Sequence, residues 1–184
     1  MELTFLGKTC FKFKTKNLTL LIDPISDKER ADVVVLTTPG GIGQIAGAIN
    51  REKPFLIDRP GEYELGGVGI IVDRLLMGRP EMVVRVSGDG VEVAHTGALT
   101  GDLEEKMKQR LTESDILLVT LAKAVELIKS CEPYIGVLMG YENRAEVDQF
   151  LGVHKFEIVK RDLDKLKLEA DSLPENTEVV VLNG

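Results

Sequence analysis

Apolar and polar residues alternate at the start of the chain, in MELTFLGKTCFKFKTK, with the two-residue period of β-strands. The rest of the first half contains short segments of β-branched and aromatic residues separated by turn residues, which also predict strands. A continuous apolar run at Ala31–Thr37 is typical of a strand buried on both faces. The segment RPGEYELGG, residues 59–67, is rich in turn-forming residues, and we interpret it as a turn. Together with the apolar run, the predicted strands are Glu2–Phe5, Cys10–Lys14, Thr19–Asp23, Pro54–Asp58, Val68–Asp73, Met82–Ser87 and Val91–His95.

The second half changes to a pattern in which strands alternate with amphipathic helices. The predicted helices are Leu103–Leu111, Ala122–Ser130 and Ala145–Leu151. The predicted strands are Asp115–Thr120, Tyr134–Met139, Phe156–Lys160 and Glu178–Leu182. Strands followed by alternating strands and helices predict a layered α/β fold. Because no linker or repeat interrupts the pattern, we expect one domain over residues 1–184.

Composition narrows the classes of partner. The chain has 43% hydrophobic residues, which is enough for a substantial core, and a formal net charge of -7, which argues against a nucleic-acid backbone as the partner. No apolar run is long enough to span a membrane, and the first residues lack the pattern of a signal peptide, so we expect a cytoplasmic protein without a membrane partner. Cys10 and Cys131 are far apart in sequence, which predicts buried, reduced thiols.

The stretch VVVLTTPGGIGQIAGAIN, residues 33–50, has the layout strand, glycine-rich loop, helix, with the helix predicted at Ile42–Arg51. Its segment Gly41–Ala46 matches the pattern GxGxxG/A of dinucleotide-binding loops, and an acidic residue follows at Asp58. However, that pattern normally follows the first strand of its domain, whereas several predicted strands precede it here. The favoured interpretation is a tight turn that needs glycine for its geometry, and a nucleotide-binding loop is the alternative.

Several segments, read in order, resemble the metallo-β-lactamase family: FLGKTCFKFKT, LLIDP, PGEYELGGV, VEVAHTGALTG and LMGY. The resemblance covers nearly the whole chain and is closest to the small branch of metal-dependent hydrolases related to the ascorbate-phosphate lactonases. It implies a four-layered αββα sandwich. In that family a T-H-x-H-x-D-H loop and two later segments supply the ligands of one or two metal ions, which activate water.

The resemblance places those ligand positions on residues that carry neither an imidazole nor a carboxylate. They are Thr38, Gly40, Ile42, Gly43, Ala98 and Gly140. The chain has only two histidines, His95 and His154, whereas even a mononuclear hydrolytic zinc usually takes three nitrogen or oxygen ligands. We therefore expect no metal cofactor and no catalytic residue.

The resemblance to the fold, together with the missing metal ligands, predicts a metal-free, non-catalytic protein that acts by binding. It would bind an unknown protein partner or form a homo-oligomer. Four residues of the retained segments are candidates for the remaining pocket: Asp23, Glu62, His95 and Tyr141. For Asp23, Glu62 and His95 the favoured role is structural, in hydrogen bonds that order loops and strand ends. Two alternatives stay open. One is a hydrolase of phosphodiesters or lactones with a relocated zinc, manganese or iron site, and the other is the nucleotide-binding module at Gly41–Ala46.

Overall fold

A computed structural model describes residues 1–26, 28–38, 53–75 and 81–184. The strands in these residues are β1 Glu2–Phe5, β2 Phe11–Lys14, β3 Thr19–Ile22, β4 Val33–Val35, β5 Phe55–Ile57, β6 Gly61–Leu65, β7 Val68–Arg74, β8 Met82–Gly88, β9 Val91–His95, β10 Ile116–Thr120, β11 Ile135–Met139, β12 Ile158–Leu163, β13 Leu166–Lys167 and β14 Glu178–Leu182. They form one sheet in the order β13-β1-β2-β3-β4-β5 and another in the order β12-β14-β11-β10-β9-β8-β7-β6. The predicted sandwich of α/β type is confirmed.

The described residues also contain three helices: α1 Glu105–Leu111, α2 Leu121–Cys131 and α3 Arg144–Val153. A 3-10 turn lies at Ala170–Ser172. Helix α3 begins after Asn143, whose side-chain oxygen accepts a hydrogen bond from the Glu146 N–H at 3.2 Å, as an N-cap residue does. The helix predicted at Ile42–Arg51 lies outside the described residues. None of the helices in the described part of the chain is long and apolar enough to cross a membrane.

Alternation along the strands divides the core into layers. Residues such as Phe11 and Phe13 of the first sheet and Val84 and Leu118 of the second are fully buried in one cluster between the sheets. A second cluster lies between the other face of the larger sheet and the helices, where Leu117 packs with helix residues such as Leu127. Burying such side chains stabilises each layer by about 1.5–3 kcal/mol per residue.

The direction of the strands determines which strand ends lie at the same edge of each sheet. Hairpins join β6 to β9 in antiparallel order, whereas β9, β10, β11, β14 and β12 pair in parallel. The strands β3, β4 and β5 of the other sheet are also parallel to one another. The carboxyl ends of parallel strands lie at one edge of a sheet, which is where α/β proteins place their functional residues.

The structure differs most from the predicted elements at residues 59–67. GEYEL forms strand β6, in which Glu62 pairs with Ile71, and only Gly66 and Gly67 form the turn, with φ angles of +59° and +78°. The interpretation of the whole segment as a turn was wrong, because pairing with β7 outweighs the turn preference of its Pro and Gly residues. Strand β13 was missed because two residues carry no periodic signal.

Both thiols are buried, as predicted. Burial raises the pKa of Cys10 to about 12, with a smaller contribution of the same sign from the Asp23 charge. Burial also raises the pKa of Cys131. A thiol with a raised pKa holds little thiolate at neutral pH and is a weak nucleophile. The two cysteines therefore fill the core and are weak nucleophiles at neutral pH.

Candidate functional site

Asp23 follows strand β3 directly and adopts a left-handed backbone conformation with φ of 47°. Its side chain accepts two hydrogen bonds from Thr37, one from the backbone N–H at 2.7 Å and one from the hydroxyl at 2.6 Å. Its own N–H donates to the Val35 carbonyl oxygen at 2.9 Å. Both carboxylate oxygens are thus engaged by the protein, which is the loop-ordering role expected for this residue.

His95 ends strand β9 and is fully buried. Its Nδ1 accepts a hydrogen bond from the Gly97 N–H at 3.0 Å, and its Nε2 lies 2.8 Å from the carbonyl oxygen of Thr9. A backbone N–H can only donate and a carbonyl can only accept, so these partners assign a neutral ring with its proton on Nε2. Neither ring nitrogen is free for another ligand.

Gly97 connects His95 with Thr37, the hydrogen-bond partner of Asp23. Its φ is +61°, and a Cβ at this position would stand 2.9 Å from the Thr37 hydroxyl oxygen and 2.9 Å from the Met82 carbonyl oxygen. Only glycine fits such a conformation and such a close approach. We call Asp23, Thr37, Gly97, His95 and the Thr9 carbonyl the rim cluster.

The rim cluster and its surroundings connect the two sheets by hydrogen bonds. His95 of the larger sheet bonds to the Thr9 carbonyl in the β1–β2 turn of the smaller one. The Met82 N–H donates to the Thr37 carbonyl at 2.8 Å, and the Gly140 N–H donates to the Lys8 carbonyl at 2.7 Å. Protein hydrogen bonds therefore hold the sheets together at the edge where the resemblance places the metal ligands.

The structure places three of the predicted ligand positions at this edge. Thr38, Ala98 and Gly140 follow β4, β9 and β11, and all three are exposed. Gly140 has a φ of +75°, and a Cβ there would lie 3.0 Å from the Thr120 methyl carbon. A histidine at this position would thus be strained in the present backbone. Gly40, Ile42 and Gly43 lie outside the described residues, as does the predicted nucleotide loop Gly41–Ala46, which stays a prediction.

The residues do not fit the metal centre that the resemblance implies. The described ranges contain no group of three His, Cys, Asp or Glu side chains that could hold a metal ion. The remaining segments, residue 27 and residues 39–52 and 76–80, contain no His or Cys. His154, the second histidine, is exposed beyond α3, with its ring 4.8 Å from that of Phe150. A hydrolytic zinc needs about three nitrogen or oxygen ligands together, and this chain does not assemble them from histidines.

The other two candidate pocket residues lie apart from the rim cluster. Glu62 lines a cavity of about 440 Å³ on the larger sheet together with Asp73 and Arg85. Tyr141 lines a cavity of about 430 Å³ beside Gly140, and its hydroxyl donates to the Leu182 carbonyl at 3.0 Å. The structure thus brings Asp23 and His95 together and leaves Glu62 elsewhere. The roles of Thr9 and Gly97 were missed, since a backbone carbonyl or N–H gives no signal in a sequence. The role of Thr37 was missed because its hydroxyl meets Asp23 only in the folded chain.

Protonation of His95 is opposed by its surroundings. Burial lowers its pKa below the usual 6.5, and the nearby Asp23 charge and the hydrogen bond to Thr9 only partly offset that effect. The neutral ring is the form that can accept from Gly97, so the geometry and the direction of the shift agree.

We therefore expect the protein to lose stability as the pH falls below 6.5. The unfolded chain takes up a proton on His95 near pH 6.5, whereas the folded state does so only at a lower pH. The stabilisation is complete above pH 6.5 and is lost as the pH decreases toward the folded pKa. Thermal melts between pH 7.5 and about 5, above the range where most carboxylates titrate, measure this loss. His95→Asn removes the titrating group and should flatten the slope, and an equal slope in that variant would contradict the assignment.

Three comparisons place the chain among known proteins. The sequence model of a family described as a beta-lactamase superfamily domain matches residues 2–135. No curated protein matches the chain. The structure is similar to that of a proposed Zn-dependent hydrolase of the metallo-β-lactamase superfamily from Thermotoga maritima, with 25% identity, a TM-score of 0.81 and coverage of 98% of this chain and 97% of that one.

Two further solved structures share the fold at lower identity. Igni18, a metallo hydrolase from Ignicoccus hospitalis, is 16% identical, with a TM-score of 0.64 and coverage of 82% of this chain and 88% of that one. The metallo-β-lactamase fold protein YhfI from Bacillus subtilis is 11% identical, with a TM-score of 0.66 and coverage of 100% and 96%. The family match spans more than half of the chain and agrees with the sandwich described above. The chain therefore belongs to the beta-lactamase superfamily and has the metallo-β-lactamase fold.

Proposed function

We propose that this chain is a metal-free member of the superfamily that does not hydrolyse substrates and acts by binding. The observation that carries the proposal is the closed rim cluster, in which both nitrogens of His95 and both carboxylate oxygens of Asp23 are engaged by the protein. The similarity to metal-dependent hydrolases supports descent from an enzyme of that kind.

A metal ion that recruited His95 or Asp23 as a ligand would break the cluster. For His95 Nδ1 to coordinate a metal ion, the buried Gly97 N–H would lose its acceptor. A buried donor without a partner costs about 1–3 kcal/mol. For Asp23 to coordinate, the N–H and hydroxyl of Thr37 would lose theirs. The exposed ligand positions offer no histidine or carboxylate in return.

The test is the metal content of tag-free protein, measured by elemental mass spectrometry as purified and after incubation with zinc, manganese or iron and desalting. We expect well below one equivalent in each sample. A superfamily hydrolase with an intact histidine motif, treated in parallel, is the positive control. One or more equivalents of retained metal would contradict the proposal and favour the hydrolase alternative with a relocated site.

A single restored ligand sharpens this test. Ala98 is exposed, so Ala98→Asp is expected to fold with a change in unfolding free energy within about 0.5 kcal/mol. It returns the carboxylate that the family has at this position. We expect the variant to retain no more metal than the parent, because the His95 nitrogens remain occupied. Ala98→Asn is the matched uncharged control, and stoichiometric zinc in Ala98→Asp alone would show that the rim cluster opens readily.

A further inference from the structure

Strand β6 ends the larger sheet, and in the described part of the chain only β7 pairs with it. Leu65 lies opposite Val68 across the two-residue turn that joins these strands. The pair that closes such a turn exchanges backbone hydrogen bonds, and along the ladder every second pair does so. The backbone N–H and C=O groups of Glu62 and Glu64 therefore point away from β7. We call this outward side of β6 the β6 edge.

The backbone groups of the β6 edge can take a further strand. Among the residues that the structure describes, none forms a hydrogen bond with the N–H or C=O group of Glu62 or Glu64 on this side. Both residues are exposed. A row of exposed, unpaired N–H and C=O groups is the template on which an extended segment adds as a new strand.

The side chains of the β6 edge carry uncompensated negative charge. Glu62 and Glu64 lie two residues apart on one face of the sheet, and neither carboxylate forms an ion pair within the described ranges. The guanidinium of Arg85, two strands away on the same face, already pairs with Glu92 at 3.4 Å and with Glu113 at 3.1 Å. The β6 edge is therefore complementary in charge to lysine or arginine side chains.

The opposite face of the β6 edge offers an aromatic surface. Tyr63 lies between the two glutamates, and its ring packs edge-on against that of Phe55 with centroids 6.2 Å apart. The Tyr63 hydroxyl donates to the Arg59 carbonyl at 3.1 Å, which orients the ring. Phe55 belongs to β5, the edge strand of the smaller sheet, and is 48% exposed. An apolar side chain opposite Tyr63 on an added strand would cover part of this surface.

A second copy of this chain does not fit the β6 edge. Two copies of β6 would pair antiparallel about a two-fold axis. Whichever of Glu62, Tyr63 or Glu64 lies on that axis, at least one carboxylate stands directly opposite another. Like charges in directly opposite positions are destabilising. The charge pattern therefore favours a different protein over a symmetric dimer at this edge.

We propose that the β6 edge binds an extended segment of another protein in which lysine or arginine residues alternate with apolar residues. The segment would add antiparallel to β6, which continues the antiparallel order of β6 to β9. Its basic side chains would lie opposite Glu62 and Glu64, and the apolar residue between them would lie beside Tyr63 and Phe55. The inference rests on the proposed function, since it names the kind of partner of a protein that acts by binding.

The probe is the acetylated and amidated peptide TKVKTKT, titrated into ¹⁵N-labelled protein at low ionic strength. We expect saturable amide shifts at residues 61–65 and hydrogen exchange slowed about fivefold or more at the N–H groups of Glu62 and Glu64. In one matched peptide glutamate replaces each lysine. In another the lysine amides are N-methylated, which keeps the charge and removes the backbone donors. Neither control should slow exchange at these two positions.

Two double variants test the charges of the β6 edge. Glu62→Gln combined with Glu64→Gln should weaken binding of TKVKTKT about fivefold. Glu157→Gln combined with Glu175→Gln removes the same charge at positions before β12 and β14, and it should leave binding unchanged. All four positions are exposed, so both variants are expected to fold.

Unchanged exchange at Glu62 and Glu64, equal binding of the lysine and glutamate peptides, or equal effects of the two double variants would overturn the inference. The two carboxylates would then serve only to prevent pairing at an exposed edge. The metal content of the same samples is measured independently. A protein without metal that ignores the peptide would refute the kind of partner and leave the metal-free proposal standing, whereas retained metal would refute the latter alone.

Discussion

Replacing His95 by alanine is expected to lower the free energy of unfolding by about 3–5 kcal/mol. The substitution removes a fully buried ring that packs edge-on against Phe11, with centroids 5.8 Å apart. It also leaves the Gly97 N–H and the Thr9 carbonyl without their partner. Urea unfolding at pH 7.5, where the ring is neutral, measures the loss without a contribution from protonation.

Two amide variants test the two hydrogen bonds of His95 separately. Asparagine can place its side-chain oxygen where Nδ1 accepts from Gly97, and glutamine can place its side-chain nitrogen where Nε2 donates to Thr9. Each should retain part of the stability that His95→Ala loses. If the alanine variant unfolds at the same urea concentration as the parent, His95 does not connect the sheets and the description of the rim cluster fails.

Replacing Asp23 by alanine is expected to cost about 2–4 kcal/mol of unfolding free energy. Thr37 would lose the acceptor of its N–H and the partner of its hydroxyl. Alanine would also have to adopt a φ of 47°, which costs about 1 kcal/mol more than it does for residues that tolerate the left-handed region. Thermal and urea unfolding of the variant measure the sum.

Asp23→Asn is the matched control, because asparagine tolerates the left-handed conformation and keeps one side-chain acceptor for the Thr37 N–H. We expect it to lose about 1 kcal/mol. An asparagine variant as unstable as the alanine variant would mean that the negative charge itself is essential, which would favour a cation at the site. These stability effects bear on function, because Asp23 and His95 order the edge at which the resemblance places the family's metal ligands.

Patterning predicted most of the strands from local residues alone. The bounds of β1, β9 and β14 agree with the prediction. In β1 apolar and polar residues alternate, whereas β14 is a continuous apolar run after Glu178. GEYEL was misread because its turn-forming residues are a local signal, whereas its pairing with β7 is a tertiary contact. Glu62 was placed among the pocket candidates by its position in a retained segment, and the structure assigns it to a different cavity.

The absence of the mapped metal ligands follows from residue identity, since Thr38, Ala98 and Gly140 carry neither an imidazole nor a carboxylate. The roles of His95 and Asp23, in contrast, depend on contacts that form when the chain folds. The partner of His95 is a backbone carbonyl 86 residues away, and every residue type has one. Residue types are a local property of the chain, whereas hydrogen-bond partners and cavities are created by packing.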